Sequence, residues 1–232
     1  MKYLFVLLIT FPIVCLSQVE PELIITNGRV VDGTGNSWFR ADIAIKGDKV
    51  MKVGKGLIFQ YPQAKQLDAK NMVVSPGFID VHAHIEGSIF ENPTANNYIY
   101  DGVTSVVTGN CGSGADDIGE FLRKIDSMGT SINIATLAGH NTIRRLGMGL
   151  ENRKATGAEM KKMEEITLKA MNDGAVGLST GLIYLPGMYS PTEEIVALAK
   201  VAASKGGVYA THMRNEGMNV HQAIDEAFLS HY

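Results

Sequence analysis

Cysteine is nearly absent from this sequence: 232 residues contain two, Cys15 and Cys111. Residues 1–17 place Lys2 before an apolar stretch from Tyr3 to Val14 and then small or polar residues, the layout of a secretory signal peptide. That stretch falls short of the roughly 20 apolar residues a membrane span needs, so no stable insertion is expected once the leader is removed. Bulky Val14 also argues against lipid attachment at Cys15. Cleavage before Gln18 predicts an exported chain, periplasmic or extracellular, whose one thiol is Cys111. A lone cysteine excludes an internal disulfide, so that thiol is inert in a core, paired with another chain, or chemically employed.

Charge of one sign is lacking too. Lys and Arg total 21 against 24 Asp and Glu, a formal net charge of -3, and neither sign forms a long run. Nothing here would track a nucleic-acid backbone or an anionic membrane, and nucleic acid is not expected as a partner. What the sequence does have is 45% hydrophobic residues, enough for a substantial core.

Between the leader and residue 75 the chain reads as short strands of a small β-domain, residues 18–75. "LIITNGRVVDGTG" carries Asn27-Gly28, a hairpin signal, and "ADIAIKGDKVMKVG" alternates around Gly47-Asp48. After Pro76 apolar strand-like runs recur at 78–81, 103–108, 132–137, 175–179 and 208–211, with helical stretches between them. The clearest helices are Ala158 to Asn172 and Pro191 to Ala203, the second with Ser190 as a capping residue and Pro191 in its first turn. Strand and helix in repeated alternation predict an α/β fold with a parallel sheet, open or closed as a (β/α)8 barrel. A whole barrel takes about 250 residues and only about 155 follow Pro76, so residues 76–232 are expected to form about five of eight units. The amphipathic stretch "HQAIDEAFLSHY" stops at Tyr232 without turn chemistry, in keeping with an incomplete barrel.

Chemistry-bearing residues gather at the ends of these runs. In "GFIDVHAHIEG", His82 and His84 are two residues apart, which on a strand puts both on one face. Alone, the pair fits a solvated strand end better than a ligand pair. Cys111 in "TGNCGSG" follows the second run within glycines, which places it in a loop. His212 in "VYATHMRNEG" ends the fifth run, with Arg214 and Glu216 after it. Imidazole and thiolate are donors that Zn2+ prefers, and the C-terminal ends of parallel strands are where such folds assemble sites. His140 in "LAGHNTIR" reads equally as a pocket residue or a hydrogen-bonded structural histidine. Tyr184 and Tyr189 lie in "GLSTGLIYLPGMYS"; a phenol there either donates to a substrate oxygen or packs the loop. His221 and His231 fall on or after the last helix, where surface placement is expected.

Taken in order, "PGFIDVHAH", "VVTGNCG", "LAGHNTIR", "GLSTGLIYLPG" and "THMRNEG" resemble the N-acyl-D-amino-acid deacylases (D-aminoacylases) of the metal-dependent amidohydrolase superfamily. The first motif is shared across the superfamily, with dihydroorotases, hydantoinases and imidazolonepropionases; the GNCG motif with the other three narrows it. The resemblance runs from about Leu23 to Ile224 and corresponds to the N-terminal half of a family member. It implies a deformed (β/α)8 barrel joined to a β-sandwich, with one or two Zn2+ ions. His82, His84, Cys111 and His212 match metal ligands, Cys111 in the bridging role, and Tyr184 matches a tyrosine near the substrate. Ser179 and Thr180 stand where other branches carry a lysine.

The implied reaction is hydrolysis of an N-acyl-D-amino acid to a carboxylate and a D-amino acid. A sixth-strand histidine and the eighth-strand aspartate that moves the proton from water to the leaving amine have no counterpart, and His231 comes too soon after His212 to be the former. No catalytic residue is therefore assigned. The resemblance leads to the expectation of a weakly active or inactive chain that is poorly stable alone or needs a complementing C-terminal half. The alternatives are an amidohydrolase of cyclic amides or dipeptides, and a non-catalytic exported fragment.

Overall fold

The computed structural model describes residues 20–230; the expected signal peptide and His231 lie outside them. The chain forms two compact units that part between Pro76 and Gly77.

The first unit is a five-stranded sheet built from β1 (Leu23–Val30), β2 (Phe39–Lys46), β3 (Lys49–Gly54), β4 (Lys65–Asp68) and β5 (Val73–Val74), with a short helix α1 (Leu57–Gln60). The order is β3-β2-β1-β4, and β5 also pairs with β1. Gly47-Asp48 does join β2 to β3 as a hairpin, with Lys46 opposite Lys49. Asn27-Gly28 does not make a turn. It lies inside β1, where the register to β2 shifts between Ile25 and Gly28 and Asn27 adopts φ 56°. The same left-handed tolerance that makes Asn-Gly a turn former makes it a bulge former here, because β1 is paired on both sides of it. Ile24, Ala44, Leu57 and Tyr61 form the core of this unit.

The second unit contains β6 (Phe78–Asp80), α2 (Ser88–Glu91), α3 (Asn96–Tyr100), β7 (Val103–Thr108), α4 (Ile118–Met128), β8 (Asn133–Thr136), β9 (Ala138–Gly139), α5 (His140–Met148), α6 (Gly157–Asn172), β10 (Gly177–Gly181), α7 (Thr192–Ala203), β11 (Val208–His212) and α8 (Val220–Leu229). Two parallel three-stranded sheets run in chain order, β6-β7-β8 and β9-β10-β11. They join at Leu137: its N–H donates to Thr108 O at 2.9 Å, while Val176 N donates to Thr136 O at 2.9 Å. The expected third strand, 132–137, is thus two short pieces that pair with β7 on one side and β10 on the other. Sequential parallel strands connected by helices are the architecture of part of a (β/α) barrel.

Burial explains the sequence of these elements. All five residues of β10 are buried, as expected for a parallel strand covered on both faces, and the strand sits two residues later than its apolar run indicates. Helix α6 begins with a reciprocal capping box between Thr156 and Glu159 and buries Met163, Thr167, Ala170 and Met171. Met163, Ala170 and Met171 join Leu178, Leu198 and Ile143 in the main core; fully burying a residue such as Leu198 contributes about 1.5–3 kcal/mol. At α7 the capping residue is Pro191, and Ser190 instead donates its hydroxyl to Gly187 O at 2.5 Å, closing the turn that precedes the helix. No helix among the described residues is long and apolar enough to cross a membrane.

Candidate metal centre

His82, His84 and Cys111 follow the C-terminal ends of β6 and β7, and His212 is the last residue of β11. His82 and His84 lie just past the last residue of β6, rather than on the strand as their spacing suggests. Strand-like geometry nevertheless persists: Ala83 N donates to Val107 O at 3.0 Å. Ala83 and Ile85 are buried while His82 and His84 are exposed, so the alternation still puts both imidazoles on one side. Their ring centroids are 5.4 Å apart in an edge-on arrangement. The Asp80 carboxylate accepts the His82 N–H at 3.0 Å and fixes the bend where the strand stops.

Cys111 is held in the loop after β7 in a left-handed conformation, φ 54°. Its carbonyl is packed so closely against β10 that a Cβ on Gly181 would stand 2.0 Å from it. Around the cysteine, Gly112 O accepts the N–H of Asn141 at 2.8 Å, and Asn110 Nδ2 donates to Val107 O at 2.9 Å. Glu86 accepts the Gly109 N–H at 2.6 Å and the Thr108 hydroxyl at 2.7 Å. The loop is therefore built by residues from β7, α5 and β10 together.

The Cys111 sulfur stands 3.3 Å from His82 Nε2 and 3.6 Å from His212 Nδ1. One potential donor atom from each of His82, His84 and Cys111 falls within 4.8 Å of the others. His212 lies outside that tight set and reaches it through Cys111. Tyr184, half exposed in the loop after β10, has its hydroxyl 3.4 Å from His212 Nδ1, with ring centroids 4.8 Å apart. On the other side of the ring, His212 Nε2 meets Glu216 Oε1 at 2.9 Å. In the protein alone, burial pushes the Cys111 thiol up from its ordinary pKa. Two imidazoles and a thiol converging at this distance, with a third imidazole beside them, fit a borderline-soft divalent cation.

His140 takes the structural role. It is fully buried, with Nε2 2.9 Å from Glu194 Oε1, and Arg144 Nη1 donates to the other oxygen of the same carboxylate at 2.5 Å. Burial works to raise the Glu194 pKa, but the hydrogen bonds and positive charge of His140 and Arg144 outweigh it and leave the group lowered. Glu194 itself gave no sign in the sequence, where it reads as an ordinary acid in the first turn of a helix. Thr180 and Ser179 are buried; Thr180 donates to Thr211 Oγ1 at 2.7 Å. Tyr189 is partly buried and His221 is exposed on α8.

A family model described as "Amidohydrolase family" matches residues 65–230. An N-acyl-D-glutamate deacylase of Alcaligenes xylosoxydans xylosoxydans is 35% identical over 90% of this chain and 47% of its own length. Among solved structures, a D-aminoacylase described by its binuclear metal centre, with one-metal activation and second-metal attenuation, superposes with TM-score 0.83. It is 32% identical, over 88% of this chain and 48% of that one. The N-acyl-D-glutamate deacylase of Bordetella bronchiseptica, complexed with zinc and a phosphonate inhibitor, superposes equally, TM-score 0.83 at 32% identity, over 90% and 48%. The chain spans about half the length of the curated relatives it matches.

Proposed function

The chain belongs to the amidohydrolase family, and from that premise we propose that it carries the zinc-holding half of a hydrolase that cleaves the amide of N-acyl-D-amino acids. The observation that carries this reading is the position of the Cys111 sulfur between His82 and His212, side chains 29 and 101 residues away along the chain. His82, His84, Cys111 and His212 would hold one or two ions. Zn2+ supplies Lewis acidity to the acyl carbonyl and makes water a usable nucleophile near neutral pH. The phenol of Tyr184, 3.4 Å from His212 Nδ1, would donate to a substrate oxygen there.

No residue of this chain is given the proton relay. Glu86 already accepts two hydrogen bonds from the Cys111 loop and Glu216 faces His212. The relay is assigned to the aspartate that the family resemblance implies. Exposed apolar side chains at the outer strands of the second unit, Phe78 and Ile79 on β6 and Val208 on β11, together with Phe228 on α8, support a complementing half that covers them. Export rests on the leader-like residues 1–17.

The test has two arms. Metal analysis of the wild type and Cys111→Ala should show zinc in the first and little in the second; equal zinc removes Cys111 as a ligand. Turnover of N-acyl-D-amino acids should exceed that of cyclic imides and dipeptides in the protein completed by its second half; the reverse preference overturns the substrate class.

A further inference from the structure

Among the described residues two histidines pair with a carboxylate. One is His140, inside its buried network; the other is His212, whose Nε2 lies 2.9 Å from Glu216 Oε1. His82 and His84 have no such partner. A neutral imidazole carries one proton and one lone pair, so an acceptor at Nε2 places the proton there and leaves the lone pair on Nδ1. Nδ1 is the atom that faces Cys111 Sγ and the Tyr184 hydroxyl.

We propose that Glu216 is a positioning residue that sets the tautomer and ring orientation of His212 for cation binding. The proposal rests on the metal reading given above. Ligating histidines characteristically donate their second N–H to a carboxylate or carbonyl, which fixes the ring and raises the basicity of the ligating nitrogen.

The competing explanation is a casual surface ion pair, since the Glu216 side chain is 62% exposed. Such pairs contribute little to stability and order little. The residues on either side of Glu216 argue otherwise. Arg214 is clamped on Glu226 by Nε and Nη2, both at 2.8 Å, and reaches the carbonyls of Met188 and Ser190. Asn215 Oδ1 accepts the N–H groups of Gly217 at 2.9 Å and Asn219 at 3.1 Å. The turn that aims Glu216 back at the end of β11 is thus fixed from both sides.

Long-range proton–nitrogen NMR on the metal-free protein, at a pH where His212 is neutral, reports its tautomer directly. The wild type should show the proton on Nε2. Glu216→Ala should shift His212 to a mixture, and Glu216→Gln, which keeps an acceptor, should restore it. In chelator competition Glu216→Ala should bind zinc about 10–100-fold more weakly, with Glu216→Gln nearer the wild type. An unchanged tautomer or unchanged zinc affinity in Glu216→Ala overturns the proposal. A wild type that holds no zinc removes the metal reading instead, and the tautomer comparison then decides the Glu216–His212 relationship alone.

Discussion

Gly112 donates its backbone N–H to the hydroxyl of Ser179 at 3.0 Å. The same hydroxyl donates to the carbonyl of Gly109, so one side chain on β10 grips both sides of the loop that presents Cys111. Ser179 is fully buried, which leaves neither loop group an easy replacement in water.

Ser179→Ala should therefore destabilise the protein by about 1–3 kcal/mol, the cost of stranding buried backbone groups. It should also lower zinc retention by loosening Cys111. Urea unfolding together with metal content checks both; a variant with wild-type values on each would show that the grip is incidental.

Gly181→Ala tests the same packing from the opposite face. Its new methyl would stand 2.0 Å from Cys111 O and 2.7 Å from the carbonyl carbon, so the loop must move. A loss of about 1–3 kcal/mol is the expected size for such overpacking, accompanied by loss of zinc. Wild-type metal content in a folded Gly181→Ala protein would contradict the position assigned to Cys111.

Acid should act through Glu194. Its folded-state pKa is lowered below 4.5, with burial opposing the shift and His140 and Arg144 driving it. A lowered carboxylate contributes stability that is present above the unfolded-state value and disappears as pH falls through the folded one. Urea midpoints should thus decline on acidification below about pH 4.5, and Glu194→Gln should be less stable at neutral pH with a flatter decline. Glu194→Ala, which leaves Arg144 buried and unpaired, should cost about 3–5 kcal/mol. Identical acid profiles for wild type and Glu194→Gln would locate the sensitivity elsewhere.

Phe228 is 73% exposed beside a groove lined by Tyr209, Thr211, Met213 and Ile224. This chain expressed by itself should self-associate through such surface, and Phe228→Ser should reduce that association without lowering the unfolding midpoint. Sedimentation velocity across a concentration series would settle it; no change in association would exonerate this face.

The alternation of apolar runs and helical stretches after Pro76 was enough to define the parallel α/β order, because parallel strands carry continuous apolar runs whether they are buried throughout, as β10 is, or keep exposed residues, as β6 does. Local chemistry was less transferable. Asn27-Gly28 offers a left-handed backbone wherever it occurs, and only the pairing of β1 on both flanks turned it from hairpin into bulge. Ser190 offers a hydroxyl that can cap, yet the turn at Gly187 claimed it first.

The sequence by itself determined the residue types of the candidate site and the strand ends that carry them: His82, His84, Cys111, Tyr184 and His212. That they meet at one site was implied by the family resemblance, while the spacing of the residues carried no distances between them. Only the tertiary structure set three of them within ligand distance and placed His212 alongside through the cysteine. It also committed His140 to Glu194 and turned Glu216 towards His212. The physical reason is that a motif fixes donor chemistry locally, whereas convergence depends on loop conformations held by distant groups such as Ser179 and Asn141, whose pairing no local pattern records.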